Sequence, residues 1–126
     1  MAAGFREGAY RATLSDGDAA GGVLALPNPE GTDIYVTRVI LNVTKAATSA
    51  GTVDAGIAAD ATTSADNLID GLDVNAATGV FDNLINGGTN GKAGRTWGTS
   101  QYLTISKATG SVAGLKGEAI IQYIRL

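Results

Sequence analysis

Ile34-Tyr35-Val36-Thr37-Arg38-Val39-Ile40-Leu41-Asn42-Val43 is the stretch on which the fold class turns. It is rich in β-branched and aromatic side chains, which crowd a helix but pack well on a pleated surface. Side chains of a strand alternate between faces, so Tyr35, Thr37, Val39, Leu41 and Val43 share one side and Ile34, Val36, Arg38, Ile40 and Asn42 the other. The first set is apolar except for Thr37 and is expected to face the core. A small polar connection, Ala46 to Gly51, leads to Thr52-Val53-Asp54-Ala55-Gly56-Ile57-Ala58, the expected hairpin partner.

Upstream, Ala9 to Leu14 reads as a strand ended by the turn signal Ser15-Asp16-Gly17-Asp18, and Val23 to Leu26 as another. Pro27 and Pro29 close the second, because proline cannot donate to a central ladder. Downstream, strands are expected at Gly79 to Leu84, Arg95 to Trp97, Gln101 to Ser106 and Glu118 to Arg125. Asn86-Gly87-Gly88 and Asn90-Gly91 mark a mobile loop between two of them. Ser64 to Leu72 is the one helical turn the sequence offers, with Ser64 as cap and Leu68 and Leu72 on one face. The last strand carries apolar residues on both sides, which suits a sheet interior or a subunit contact.

Short strands at regular spacing, joined by loops, predict an all-β chain: a single-domain β-sandwich or jelly roll of about eight short antiparallel strands, with at most one short helical turn. The chain of 126 residues has room for one domain. Residues 1–8 read as a flexible N-terminal arm that orders against a neighbour, and 9–126 as the sandwich. Gly (18) and Ala (21) make the core thin, and only seven residues are aromatic.

The absence of Cys excludes disulfides and thiolate chemistry, and the absence of His removes the usual general base and the commonest metal ligand. A net charge of −3, with no basic patch, argues against nucleic acid as a partner. No apolar run is long enough to cross a bilayer, so no membrane partner is expected. Charge is uneven: six Asp and no cation lie between Lys45 and Lys92, whereas five cations and one acid follow from Lys92 onward. Opposite patches of this kind steer subunits together, although solvated loops are the commoner setting for such residues.

Gly88 to Ala93 has a faint phosphate-loop look, but Ala93 stands where the magnesium-binding hydroxyl belongs. Asp16 and Asp18, and the group Asp60, Asp66, Asp70 and Asp73, are oxygen donors without EF-hand spacing, and loop Asp more commonly forms turns and caps. Glu is too scarce for a glycosidase pair. The expectation is therefore no enzyme, no cofactor and no metal. Trp97 and Tyr102 flank the Gly98 to Ser100 turn, where core packing or subunit contact is the commoner use of large aromatics.

The Ile34 to Thr44 strand, Thr52 to Ile57, Asn67 to Val74, Val80 to Asn83, Gly91 to Trp97, Gln101 to Ile105 and Ala119 to Ile124 follow one another in an order similar to that of small virion proteins of tailed bacteriophages. The resemblance, over roughly residues 20 to 126, is to capsid decoration (cement) proteins with a jelly-roll-like body. It implies a structural protein made in the host cytoplasm and carried on the capsid exterior. There it would bind the major capsid protein and tie capsomers together, as a homo-oligomer with a trimer favoured. The resemblance assigns no individual residue. Phe5 and Arg6 in the arm, Tyr123 and Arg125 in the last strand, and Trp97 and Tyr102 are the expected contacts. The alternative is a receptor- or carbohydrate-binding module of a phage tail or fibre, with Trp97 beside the Asn83 to Asn90 loop as its platform.

Overall fold

The apolar residues of β3 (Ile34–Lys45) change face partway along the strand. Ile34 and Val36 are fully buried, and so are Val39, Leu41 and Val43. Strict alternation cannot bury both sets. The register against β9 (Lys116–Arg125) slips between Val36 and Arg38, leaving Thr37 as an extra residue that bends the strand. Its hydroxyl donates to the Gln122 carbonyl at 3.1 Å. The expected core face is therefore right only beyond the bulge: Tyr35 turns outward, and Ile34 and Val36 take the core side. Each buried side chain of this size contributes about 1.5–3 kcal/mol, which holds the bulge where it is.

The computed structural model describes residues 6–126, and these form nine strands in two antiparallel sheets. The remaining elements are β1 (Glu7–Thr13), β2 (Leu24–Pro27), β4 (Gly51–Ala58), β5 (Ile69–Asp73), β6 (Gly79–Asp82), α1 (Asn83–Asn86), β7 (Arg95–Trp97) and β8 (Tyr102–Gly110). Sheet A has the order β1-β9-β3-β6, with β7 also on β3, and sheet B has the order β2-β8-β4-β5. The pairings nest: β1 with β9, β2 with β8, β3 with β6 and β7, β4 with β5. The chain is thus one long hairpin wrapped over itself so that alternate pairs fall in opposite sheets, which is the jelly-roll arrangement. Between the sheets lies one core, with Trp97, Ile34, Leu41, Leu68, Leu103 and Ile121 among its largest side chains. Pro27 ends β2, an edge strand, where a missing N–H is tolerated.

The expected helical turn at Ser64 to Leu72 is not formed. Asn67 instead brackets Ile57 of β4, accepting from its N–H at 2.9 Å and donating to its carbonyl at 3.1 Å. Leu68 N–H then donates to the Ala55 carbonyl, and β5 follows. This extended path buries Leu68 and the adjacent Ile69 together, which one face of a short helix would not do. The helical turn falls where the end of a strand is expected: Asp82 accepts from Ile85 N–H at 2.8 Å and caps α1. β1 begins at Glu7, so residues 7 and 8 of the expected arm lie in sheet A. Residues 1–5 are outside the described part.

β6 and β7 occupy opposite ends of the same edge of β3, pairing with Ile40–Val43 and Ile34–Val36 respectively. The gap between them is filled by a side chain. Asn83, fully buried, accepts from Val39 N–H at 2.8 Å and donates to the Ala93 carbonyl at 3.3 Å.

Candidate functional site

Alternation along the strands decides which residues the two outer faces carry. On sheet B the outward Thr104 and Ser106 are fully buried, because loops lie over them. The Thr104 hydroxyl donates to the Thr63 carbonyl at 2.9 Å, and Gly21 N–H donates to Ser106 Oγ at 2.8 Å. Gly56 lies so close beneath Asn67 and Ala65 that a Cβ there would come within 2.6 Å of the Asn67 Oδ1. Sheet B is thus covered by its own chain.

Sheet A is not covered in this way by the described residues. Ala9 and Arg11 of β1, Ile120, Gln122 and Ile124 of β9, Tyr35, Arg38 and Ile40 of β3, and Val80 of β6 fall on its outer side by register. Ile40, Ile120 and Ile124 are half-buried, while Tyr35 and Val80 are exposed. At the adjoining corner, Leu84 and Ile85 of α1 stand 54% and 80% exposed. Solitary apolar residues on a surface are ordinary, but a sheet face continuing into such a corner is the pattern of a protein-binding surface.

Two ion pairs frame this face. Arg11 makes a forked contact with Glu118 at 2.6 and 2.7 Å. Arg38 grips Asp82 at 2.6 and 3.1 Å. Burial pushes the Asp82 carboxyl up, but the Arg38 guanidinium and the Ile85 N–H outweigh it and hold the group below the usual range. Glu118 is also held low, chiefly by its hydrogen bond from Arg11. An open depression of about 480 Å³ runs between β1 and β9, lined by Gly8, Ala9, Thr37, Gln122 and Ile124 among others.

Of the expected contact residues, Phe5 lies outside the described part. Arg6, Tyr123 and Arg125 lie at one end of sheet A, the last two around Glu30. Arg6 is exposed and reaches the Arg125 carbonyl at 3.4 Å. The Tyr123 hydroxyl donates to Glu30, and Arg125 binds the same carboxylate at 2.9 Å while its guanidinium lies 5.7 Å from the Tyr123 ring centre. The Arg125 and Tyr123 bonds, in that order, hold Glu30 below its ordinary value. Burial, with the Glu30 bond behind it, raises the Tyr123 phenol. Tyr123 is buried and Arg125 half-buried, so this cluster fastens the last strand to the loop between β2 and β3.

Trp97 is wholly in the core, with Nε1 donating to the Gln101 carbonyl at 2.9 Å. Its ring therefore offers no face beside the Asn83 to Asn90 loop. Tyr102 is half-buried at the start of β8, in sheet B. The loop around Gly87 to Lys92 is pinned to β5: Asp70 N–H donates to the Gly87 carbonyl at 2.8 Å, and Lys92 N–H to the Leu68 carbonyl at 3.3 Å.

Asp66 and Asp70 do come together, but with Asp54, all with carboxylate oxygens within 4.8 Å of one another. Asp60 and Asp73 cap their own turns, and Asp16 and Asp18 fasten the loop at 111–114. Oxygen donors of this kind suit a hard cation. Each carboxylate of the trio already accepts from an amide: Gly71 N–H on Asp54, Asn90 N–H on Asp70 and the Asn90 side chain on Asp66. Burial pushes Asp54 up, and the charges of Asp70 and Asp66 add to the effect. Asp54 was the member missed in the sequence; its signal is its outward place on β4, between Val53 and Ala55, which both point into the core. The open face of sheet A was missed for another reason, since loop coverage of one sheet is invisible to alternation.

No family model matches the chain, and neither a curated protein nor a solved structure matches it.

Proposed function

We propose that this chain is a structural protein of a phage particle, which binds the outer surface of an assembled capsid through the outer face of sheet A and bridges capsomers. The observation that carries the reading is the asymmetry of the sandwich: the middle of sheet B, at Thr104 and Ser106, is covered by loops 16–22 and 59–68, whereas on sheet A no described loop covers Tyr35, Ile40, Val80, Ile120 and Ile124. A broad, shallow face of aliphatic side chains framed by ion pairs suits adhesion to another protein, where small-molecule sites favour enclosed clefts. The capsid as the particular partner comes from the sequence resemblance to decoration proteins and from the jelly-roll pairing order. The second is an analogy of fold, which by itself fixes no function. The mechanism is multivalent: many modest contacts, made to the assembled shell and not to its free subunits, stabilise the shell by mass action.

Quantitative mass spectrometry of purified particles tests this directly. A copy number equal to, or a simple fraction of, that of the major shell protein supports a decoration role. A few copies per particle would point to the tail or a fibre, and absence from particles would refute both. On heads, Ile120→Glu and Ile124→Glu should lower occupancy while leaving the isolated domain folded.

A further inference from the structure

β1 is an edge strand, and among the described residues nothing pairs with its outer side. Its hydrogen-bonding parity is fixed by its flanks: the Arg6 carbonyl accepts from Arg125 N–H at 2.7 Å, and Leu14 N–H donates to the Gly117 carbonyl at 2.9 Å. In an antiparallel strand the N–H and C=O of one residue point to the same side, and the side alternates. Gly8, Tyr10 and Ala12 therefore face β9 with their backbone groups, and Glu7, Ala9, Arg11 and Thr13 present theirs to the free edge.

We infer that this edge is a self-association surface, on which β1 of a second copy pairs antiparallel with Ala9 opposite Ala9. The sequence Glu7-Gly8-Ala9-Tyr10-Arg11 is complementary to itself about Ala9. In that register the two copies of Ala9 exchange both backbone bonds, and Glu7 of each copy lies directly opposite Arg11 of the other. Opposite charges at such positions favour pairing, and like charges disfavour it. A two-fold axis at Tyr10 would set Glu7 against Thr13, and one at Arg11 would set the two arginines against each other. Only the Ala9 register matches both charges.

The side chains have room for it. Arg11 uses Nε and Nη2 for Glu118, which leaves further guanidinium N–H groups on Nη1. Glu7 makes no ion pair among the described residues. On the opposite side of the strand Tyr10, 42% exposed, would lie across from Gly8 of the other copy in the closer, non-hydrogen-bonded kind of pair. The pairing makes one continuous sheet of two copies of sheet A and keeps the outer faces of both free. It stands apart from the capsid reading and survives if that reading fails.

Sedimentation velocity of the full chain over a range of concentrations tests the inference. The wild type should be a monomer–dimer equilibrium. Glu7→Lys sets an ammonium group against Arg11 of the other copy and should weaken the dimer about tenfold or more. Arg11→Glu should do likewise by setting two acids together. Mixed in equal amounts, these two variants should recover a dimer, because each then meets the opposite charge; a folding defect could not produce that recovery. Ala9→Pro is the independent check, since it removes an edge N–H that serves no bond among the described residues. A wild type that stays monomeric into the millimolar range, one that forms a trimer, or a dimer that both Glu7→Lys and Ala9→Pro leave intact would overturn the proposal.

Discussion

Replacing Asn83 with Ala should cost far more than its position at the start of a short surface helix suggests. The side chain is fully buried and closes the gap that β6 and β7 leave on β3. Without it, Val39 N–H loses its 2.8 Å acceptor in a place water does not reach, and the Ala93 carbonyl loses its donor. Ala93 is exposed, so water can replace that second bond. The cost is then mainly that of one stranded buried N–H, about 2 kcal/mol. With an unfolding entropy of roughly 2.1 cal/mol/K per residue, a chain of this length loses about 8 °C of Tm for that amount. Urea denaturation should show the midpoint lowered at unchanged slope, and amide exchange at Val39 should accelerate in the folded state. A loss below about 0.5 kcal/mol with Val39 exchange unchanged would refute the reasoning, because the Val39 N–H would then have to be satisfied in some other way.

Two carboxylates should respond to pH with opposite signs. Asp82 is held low in the fold, so its contribution is complete above the ordinary carboxylate value and is lost as pH falls through the folded one. Asp82→Asn should therefore be less stable than wild type at neutral pH, with the difference closing in acid melts. Asp54 is held high, so the wild type loses stability as pH rises from the ordinary value through the raised one. Asp54→Asn, which keeps an acceptor for Gly71 N–H, should melt above wild type at pH 7, with that gain vanishing in acid. Gly8→Ala would put a Cβ 2.6 Å from ring carbons of Tyr123, and should cost about 1–3 kcal/mol. The penalty should persist in a Tyr123→Phe background and disappear in Tyr123→Ala, as a chemical-denaturation cycle would reveal.

The fold class was legible because β-branched alternation and turn residues are local signals, and β2, β3, β4, β7 and β9 span close to the residues those signals mark, although β4 pairs with β8 and β5 in the other sheet and not with β3 as expected. The half-inverted face of β3 was not legible. Thr37 is an acceptable strand residue, and its role as a bulge arises from the register that β9 imposes. Ser64 to Leu72 misled for a related reason: Leu68 and Leu72 have helical spacing, but Asn67 finds its partners on β4, ten residues back. Buried polar side chains such as Asn83 and Asp82 give no sign of burial in a sequence, since the partners that hold them against β3, Val39 and Arg38, are more than forty residues away. Aromatic residues were the natural candidates for contact, yet Trp97 and Tyr123 are core, and the uncovered face is mainly aliphatic.

The nested pairing places β9, which follows every other strand along the chain, in the middle of sheet A, between β1 and β3. During synthesis, β1 and β3 both emerge long before the strand that joins them. Until β9 arrives, β1 has no neighbour in the sheet and β3 exposes one whole edge. Closing a loop of more than a hundred residues is slow compared with forming a local hairpin. Sheet B is different, since its β4–β5 hairpin can form early from neighbouring sequence. The molecule should therefore assemble from sheet B outward, with sheet A completed in a late step that depends on its last strand. In that interval the unpaired edge of β3, with its run of Val, Ile and Leu, is the segment most in need of protection from aggregation.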